Sequence, residues 1–390
     1  MPNVKSHTHV AERTSRLGFS DIVRIRNRVL DMIGRGIPVL RLEGGEPFAP
    51  TPDFIKQALK DAVDANQTRY APSSGVPDLL SAITAKLSSK NRMTVPQSSV
   101  IVTSGGAHGL FCAFQATVNP GDEVMLFSPF WTPIRDHITY AGGIPVTVPW
   151  EEVRGRDAAA VALSSRLTPL TRVIYLNTPG NPTGDVLTRE QLASIAEFAI
   201  ANDLTVIADE AYEDLQYEGE HVSIASMPGM FERTLTVFTL SKSFAMTGWR
   251  AGYLVADEAF MEVLRKLVLN SINGVSTPTQ FAAAAAITQG QPFVREMLGQ
   301  YRKRRDRLVA ALNGAGFRCH TPPGAFYVFP DVSERLGPDS WKAMESLLEK
   351  TSIASVPGVV FGAEGEGHLR MSCSLSDSLL EQAVAALAKL

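Results

Sequence analysis

Three short segments carry side chains able to do covalent chemistry on a charged, planar ligand. Asn181-Pro182-Thr183-Gly184 offers an amide, Asp209-Glu210-Ala211-Tyr212 a carboxylate and a phenol, and Ser241-Lys242-Ser243 a primary amine. Eight residues beyond that lysine, Thr247-Gly248-Trp249-Arg250 adds a guanidinium. Taken singly, each has a plain structural reading. Asn-Pro and Thr-Gly form turns, a carboxylate after a strand caps the next helix, and a lysine at a strand end is normally solvated. Three of the segments, however, follow β-type runs, and open α/β sheets bind ligands at the carboxyl ends of their strands. In combination these groups can hold a phosphorylated, planar aldehyde.

Seven β-rich runs are available to position these groups, at 100–103, 123–127, 144–148, 172–176, 204–208, 235–239 and 251–255. Most are separated by helical patterns, which predicts the α/β class, with a mainly parallel seven-stranded sheet covered by helices on both faces. Thr51-Pro52 reads as an N-cap and first helical position, opening an amphipathic helix to about residue 63. Thr188-x-x-Gln191 reads as a capping box before Leu192, Ile195 and Phe198 on one helical face. The ends differ: 11–36 forms one helical pattern, 38–42 a short strand, and a long helix begins near 293. β-type runs follow at 325–330, 353–356 and 368–372, then a final helix. The expected organisation is an N-terminal segment (1–48), a large domain (49–290) and a C-terminal part (291–390), with both termini forming a smaller α+β domain.

Bulk composition excludes several classes. The 390 residues are 45% apolar and 20% charged, and a net charge of −3 argues against nucleic acid or a membrane surface as partner. The basic run 302–305 lies in a helical pattern and reads as a solvated face. Cys112, Cys319 and Cys373 are isolated, so neither a disulfide framework nor a metal site is expected. The polar N-terminus has no signal-peptide core, and no apolar run approaches the roughly 20 residues needed to cross a bilayer. A cytoplasmic protein is the expectation. No Gly-x-Gly-x-x-Gly turn follows the first strand, against a dinucleotide-binding dehydrogenase, and no basic helix-turn-helix precedes the sheet, against a transcription regulator.

The segments NTPGNPTG, DEAY and LSKSFAMTGWRAGY, in this order and spacing, resemble the signature of class I/II aminotransferases, the pyridoxal-phosphate enzymes of the aspartate-aminotransferase fold. The pattern around the lysine is similar to that of a prokaryotic aspartate/aromatic-type subgroup, and the resemblance runs from Gly45-Glu46-Pro47 to Arg370. It implies a type I pyridoxal-phosphate fold. It also implies a Schiff base between Lys242 and the cofactor, with the freed amine then moving a proton from the substrate's Cα. By the same resemblance Asp209 pairs with the pyridine nitrogen, and Asn181 and Tyr212 donate to the ring's phenolic oxygen. Arg250, Gly106, Ala107 and the hydroxyls of Thr239 and Ser241 are implied at the phosphate, with Thr239 favoured. Trp131 would stack on the ring, and Tyr70 would reach the phosphate of a neighbouring subunit, making a homodimer with a shared site. Arg370 and the Gly45 amide would bind the substrate α-carboxylate.

The expected reaction passes the amino group of an L-amino acid to a 2-oxo acid by a ping-pong mechanism. A β-eliminating lyase, using the same lysine, aspartate and arginine, is the alternative. One departure concerns substrate: some aspartate-using relatives carry a basic residue where this chain has Ala107, which puts aspartate in doubt. His108 could replace that charge, although a histidine one turn into a helix is more often structural, and Phe19 and Ser20 lie in the segment that covers the substrate in relatives.

Overall fold

A computed structural model describes residues 11–153, 155 and 158–390; residues 1–10 of the polar N-terminal stretch lie outside the described residues. Twelve strands are labelled in chain order. They are β1 (Leu40–Arg41), β2 (Val100–Thr103), β3 (Glu123–Ser128), β4 (Ile144–Pro149), β5 (Thr171–Asn177) and β6 (Thr205–Asp209). There follow β7 (Thr234–Thr239), β8 (Gly252–Val255), β9 (Tyr327–Val328), β10 (Ile353–Ala354), β11 (Val356–Pro357) and β12 (Leu369–Ser372). Seven form one sheet in the order β2-β8-β7-β6-β5-β3-β4. The pairs from β4 to β7 are parallel, while β8 runs antiparallel to both of its neighbours.

Alternation along these strands explains why helices cover the sheet on both sides. Val124, Leu126, Val173, Tyr175 and Ile207 belong to one apolar cluster, with residues of the helices Gly105–Thr117 and Glu258–Ile272. Their neighbours Met125, Phe127, Ile174, Leu176 and Val206 belong to another, with residues of Arg189–Ala201. Successive side chains point to opposite faces, so strands buried on both sides read as continuous apolar runs.

A separate core gathers Leu42, residues of the long helix Gln291–Gly314, and the C-terminal strands and helices. β1 joins it by pairing in parallel with β10, and β11-β12-β9 form a small antiparallel sheet. The N-terminal segment is thereby tied to the C-terminal region, because Leu42 N–H donates to Ala354 and Ser372 N–H donates to Leu42.

Several local expectations are corrected. The helical pattern 11–36 divides into a 3-10 turn, Glu12–Arg16, and a helix, Asp21–Gly34. Extended backbone at Leu17 and Ser20 separates them. Thr51 is not a cap: the helix starts at Asp53 behind Pro52, and the Thr51 hydroxyl instead donates to Ala245 O and accepts from the Trp249 indole. The C-terminal strands are shorter than their β-type runs, and Ser355 separates β10 from β11. The basic run is only partly solvated. Arg304 lies over Phe48 and bonds Asp377, while Arg305 lies over Tyr217 and donates to Pro322 O, both guanidinium groups being buried. Weak hydration of the planar cation makes such burial tolerable where acceptors are supplied.

The Thr188 capping box is present in both directions, Gln191 N–H donating to the Thr188 hydroxyl and Thr188 N–H to the Gln191 side chain. Thr188→Ala is expected to cost about 1 kcal/mol in a urea titration, with Thr188→Ser recovering most of it. An unchanged midpoint in the alanine variant would show that the cap contributes nothing.

Candidate active site

The carboxyl ends of β5, β6 and β7 open onto a cavity of about 660 Å³, lined also by the start of the helix Gly105–Thr117 and by the segment after β1. Lys242 sits in the short helix Leu240–Ser243, whose first turn is capped by the Thr239 hydroxyl accepting from Ser241 N–H. Its Nζ donates to Gly45 O at 2.6 Å. Burial pushes the amine down to about 8, with Glu46 and Asp209 opposing the fall and Arg370 and Arg250 adding to it. An amine in that range is a usable nucleophile and base near neutrality.

Asp209 ends β6, and its carboxylate is anchored twice. Oδ1 accepts from Ala211 N–H at 3.1 Å, and Oδ2 accepts from the Tyr175 hydroxyl at 2.9 Å. Burial pushes this acid up to about 6, opposed by those two hydrogen bonds. Behind it, Glu210 accepts from the Ser223 hydroxyl and meets His221, while Glu213 is paired with Lys86.

Asn177 at the end of β5 organises the next loop. Its amide donates to Asp209 O, and its carbonyl accepts from Asn181 N–H. Asn181 Oδ1 then accepts from Arg370 Nη1 at 3.0 Å, and Arg370 Nη2 donates to Glu43 O at 2.8 Å. Arg370, only 2% exposed, lies over the rings of Tyr327 and Phe361, and its Nε has no partner among the described residues. Tyr327 also meets Tyr212, hydroxyl to hydroxyl, at 3.0 Å. A Cβ on Gly45 would stand 3.0 Å from the Tyr327 hydroxyl, which keeps the backbone there close to the cavity wall.

The opposite end of the cavity is cationic. Arg250 has φ +57° and is braced by Thr247 O and Ser104 O, beside the helix start Gly105-Gly106-Ala107. At Gly105, with φ +76°, any Cβ would come within 2.5 Å of Arg250 Nη2, so only glycine lets the fork sit there. Backbone amides at a helix start, hydroxyls of Thr239 and Ser241, and a fixed guanidinium are a donor set that could hold a phosphate. With an aldehyde-reactive amine, a buried carboxylate and the half-buried indole of Trp131, this donor set fits pyridoxal phosphate.

Twelve sequence-predicted residues line this one cavity: Gly45, Gly106, Ala107, Trp131, Asn181, Asp209, Tyr212, Thr239, Ser241, Lys242, Arg250 and Arg370. Tyr70 does not; it is 91% exposed on its own chain. Of the two readings of His108, the contacts favour the structural one over a substitute for the charge missing at Ala107. Its ring accepts from Ser104 N–H and meets Ser271 and Cys112, and burial lowers its pKa, which disfavours a cation. Phe19 is 95% exposed on its own chain, and neither it nor Ser20 lines the cavity, whereas Ile22 and Arg26 further along the same N-terminal segment do. Sequence reasoning missed Tyr175, Asn177, Tyr327 and the bonded pair Arg41–Glu43. Asn177 stands within the NTPGNPTG segment, and Tyr175 lies two residues before it on the same strand face, a signal that alternation could have given.

A model of the family described as aminotransferase class I and II matches residues 37–387. The chain belongs to that family, and it is a pyridoxal-phosphate-dependent enzyme that transfers amino groups. It is 38% identical over 383 residues to a probable aspartate/prephenate aminotransferase of Aquifex aeolicus, covering 96% of each chain. To the aspartate/prephenate aminotransferase of Thermus thermophilus it is 36% identical, covering 96% of this chain and 97% of the other. The solved aspartate aminotransferase of Thermus thermophilus with maleate superposes with a TM-score of 0.92 at 35% identity, covering 98% and 99% of the two chains. The aspartate aminotransferase of Rhizobium meliloti does so at 0.92 and 32%, covering 98% of each. These relatives are all aminotransferases, which favours transamination over the β-eliminating alternative.

The lysine shift has a stability consequence. An unfolded lysine titrates near its ordinary value, whereas folded Lys242 releases its proton at about 8. Below that pH both states are charged and folding carries the full burial cost. The cost disappears as pH rises towards the unfolded value. Lys242→Met is therefore expected to stabilise the cofactor-free protein at pH 7 by roughly 1–3 kcal/mol, the gain vanishing towards pH 10–11. Calorimetric melting across that range checks the sign.

Proposed function

We propose that this chain works as a homodimer that passes the α-amino group of an L-amino acid to a 2-oxo acid in two successive half-reactions. One observation carries the reading: a desolvated amine, Lys242, and a buried, doubly anchored carboxylate, Asp209, share a cavity with the buried guanidinium of Arg370. When bound, pyridoxal phosphate supplies a carbonyl for the amine and an electron-withdrawing ring.

The chain's own groups do the rest. Asp209 holds a proton at the pyridine nitrogen. The Lys242 amine would move the proton at the substrate Cα, a task its depressed pKa suits. Asn181 and Tyr212 would donate to the ring's phenolic oxygen, and the Trp131 indole would pack against the ring. Arg250, the amides of Gly106 and Ala107, and the hydroxyls of Thr239 and Ser241 hold the phosphate, with Thr239 acting also as the cap of the lysine helix. Arg370 and the Gly45 backbone orient the α-carboxylate, Arg370 being aimed beforehand by Asn181 and Glu43.

Exposed Tyr70 completes the phosphate site of a second copy, so each active site is shared. The separate cores support a large part at 49–290 and a smaller one built from 1–48 and 291–390. No described helix is long and apolar enough to cross a membrane; the compartment we infer is the cytoplasm.

Borohydride reduction followed by peptide mapping should place the pyridoxyl tag on Lys242; a tag elsewhere refutes the assignment. Arg370→Lys should raise KM for amino acids roughly 10- to 100-fold with a smaller change in kcat, because a point charge cannot reproduce a two-pronged contact. Equal loss with an amine lacking a carboxylate would contradict that role. Co-expressing Lys242→Ala with Tyr70→Ala should regain activity that neither homodimer has, since one mixed site is then intact. No recovery would exclude a shared site.

A further inference from the structure

The environment of Asp209 contains one member that neither the motifs nor the relatives' names assign. Tyr175 lies near the end of β5, 2% exposed, with its ring among Val173, Ile207 and Phe114 of the apolar cluster on that face of the sheet. A phenol in such surroundings must find a hydrogen-bond partner, and its partner is the Asp209 carboxylate itself. Parallel pairing sets this contact: Tyr175 stands opposite Ile207 and Asn177 opposite Asp209. β5 therefore grips Asp209 at two points, the carboxylate through Tyr175 and the backbone carbonyl through Asn177.

We propose that Tyr175 is the positioning residue that fixes the Asp209 carboxylate and keeps it ionised, and through it sets how firmly the cofactor ring holds its proton. This rests on the pairing of Asp209 with the ring nitrogen proposed above. Both carboxylate oxygens already have one protein donor, which fixes the rotamer before the ring arrives. The charged and titratable groups facing Asp209 are few. Lys242 favours its ionised form, Glu210 opposes it, Tyr175 favours it by its hydrogen bond, and Tyr212 stands nearby on the following turn. Burial opposes ionisation more than any single neighbour, so the phenol's donation is needed to hold the acid in its charged form. Without it, the acid would draw the proton away from the ring nitrogen, and the ring would withdraw electrons less strongly.

The test compares the wild-type holoenzyme with Tyr175→Phe and Asp209→Asn by titrating the visible absorbance of the bound cofactor. Steady-state kinetics and melting of the cofactor-free proteins accompany it. Tyr175→Phe should move the spectral pKa upward by about 0.5–1 unit and lower kcat roughly tenfold or more, with KM within about threefold, the size expected for one hydrogen bond to a charged group. Asp209→Asn should shift the titration further in the same direction. A lower Tm in Tyr175→Phe with the titration unmoved, while Asp209→Asn moves it, would identify a mere packing tyrosine and overturn the proposal. An unmoved titration in both variants would instead sink the Asp209 pairing. Fluorotyrosine incorporated at position 175 keeps the shape and donates more strongly. It should shift the titration the opposite way, and no shift with this foldable variant also overturns the assignment.

Discussion

Lys242 must keep a primary amine near the edge of deprotonation inside a protein, and most of the surrounding structure answers that demand. Removal from water lowers the amine to about 8 and raises the facing acid, Asp209, to about 6. The same low-polarity surroundings thus push both groups towards neutrality, one losing and the other gaining a proton. Oppositely charged partners restrain these shifts, and like-charged ones, Arg250 and Arg370 on the amine and Glu210 on the acid, extend them. Such a balance requires groups fixed at short range on separate elements, which loose loops would not supply.

Backbone carbonyls from one short segment help to set that balance. Gly45 O receives the Lys242 amine and Glu43 O receives the Arg370 guanidinium. Acceptors of this kind orient cations without adding a full negative charge that would raise the lysine again. The segment can do this because β1 is locked in parallel to β10, and because the Tyr327 hydroxyl packs closely against Gly45, 3.0 Å from where a Cβ would stand. A strap that belongs in sequence to the N-terminus thereby joins the carboxyl ends of the large sheet to the C-terminal core that carries Arg370.

Division of the cavity into two chemical ends follows from the same geometry. The helix start at Gly105, with Arg250 folded over it, concentrates donors for a dianionic group. At the other end Arg370 is buried under Tyr327 and Phe361, where a carboxylate would meet little competing water. The lysine lines the same cavity as both guanidinium groups.

Residue types and spacing determined the α/β class, the seven strands of the large sheet, the Thr188 cap and the strand-end groups Asn181, Asp209, Tyr212, Lys242 and Arg250, while the resemblance to class I/II aminotransferases implied the rest of the twelve residues that converge on the cavity. The former were legible because they depend on local pattern: period-two burial, turn chemistry and polar groups placed just beyond strand ends. The tertiary structure alone decided which groups steer those twelve. Tyr175 hides in an apolar run and becomes polar in purpose only when β6 lies beside β5; Tyr327 and Glu43 are brought in from opposite ends of the chain. The same holds for the misread features. Arg304 and Arg305 look like a wet helix face until Phe48 and Tyr217 cover them. Contacts between residues far apart in sequence fix burial and partners, and burial and partners are what set charge state and direction.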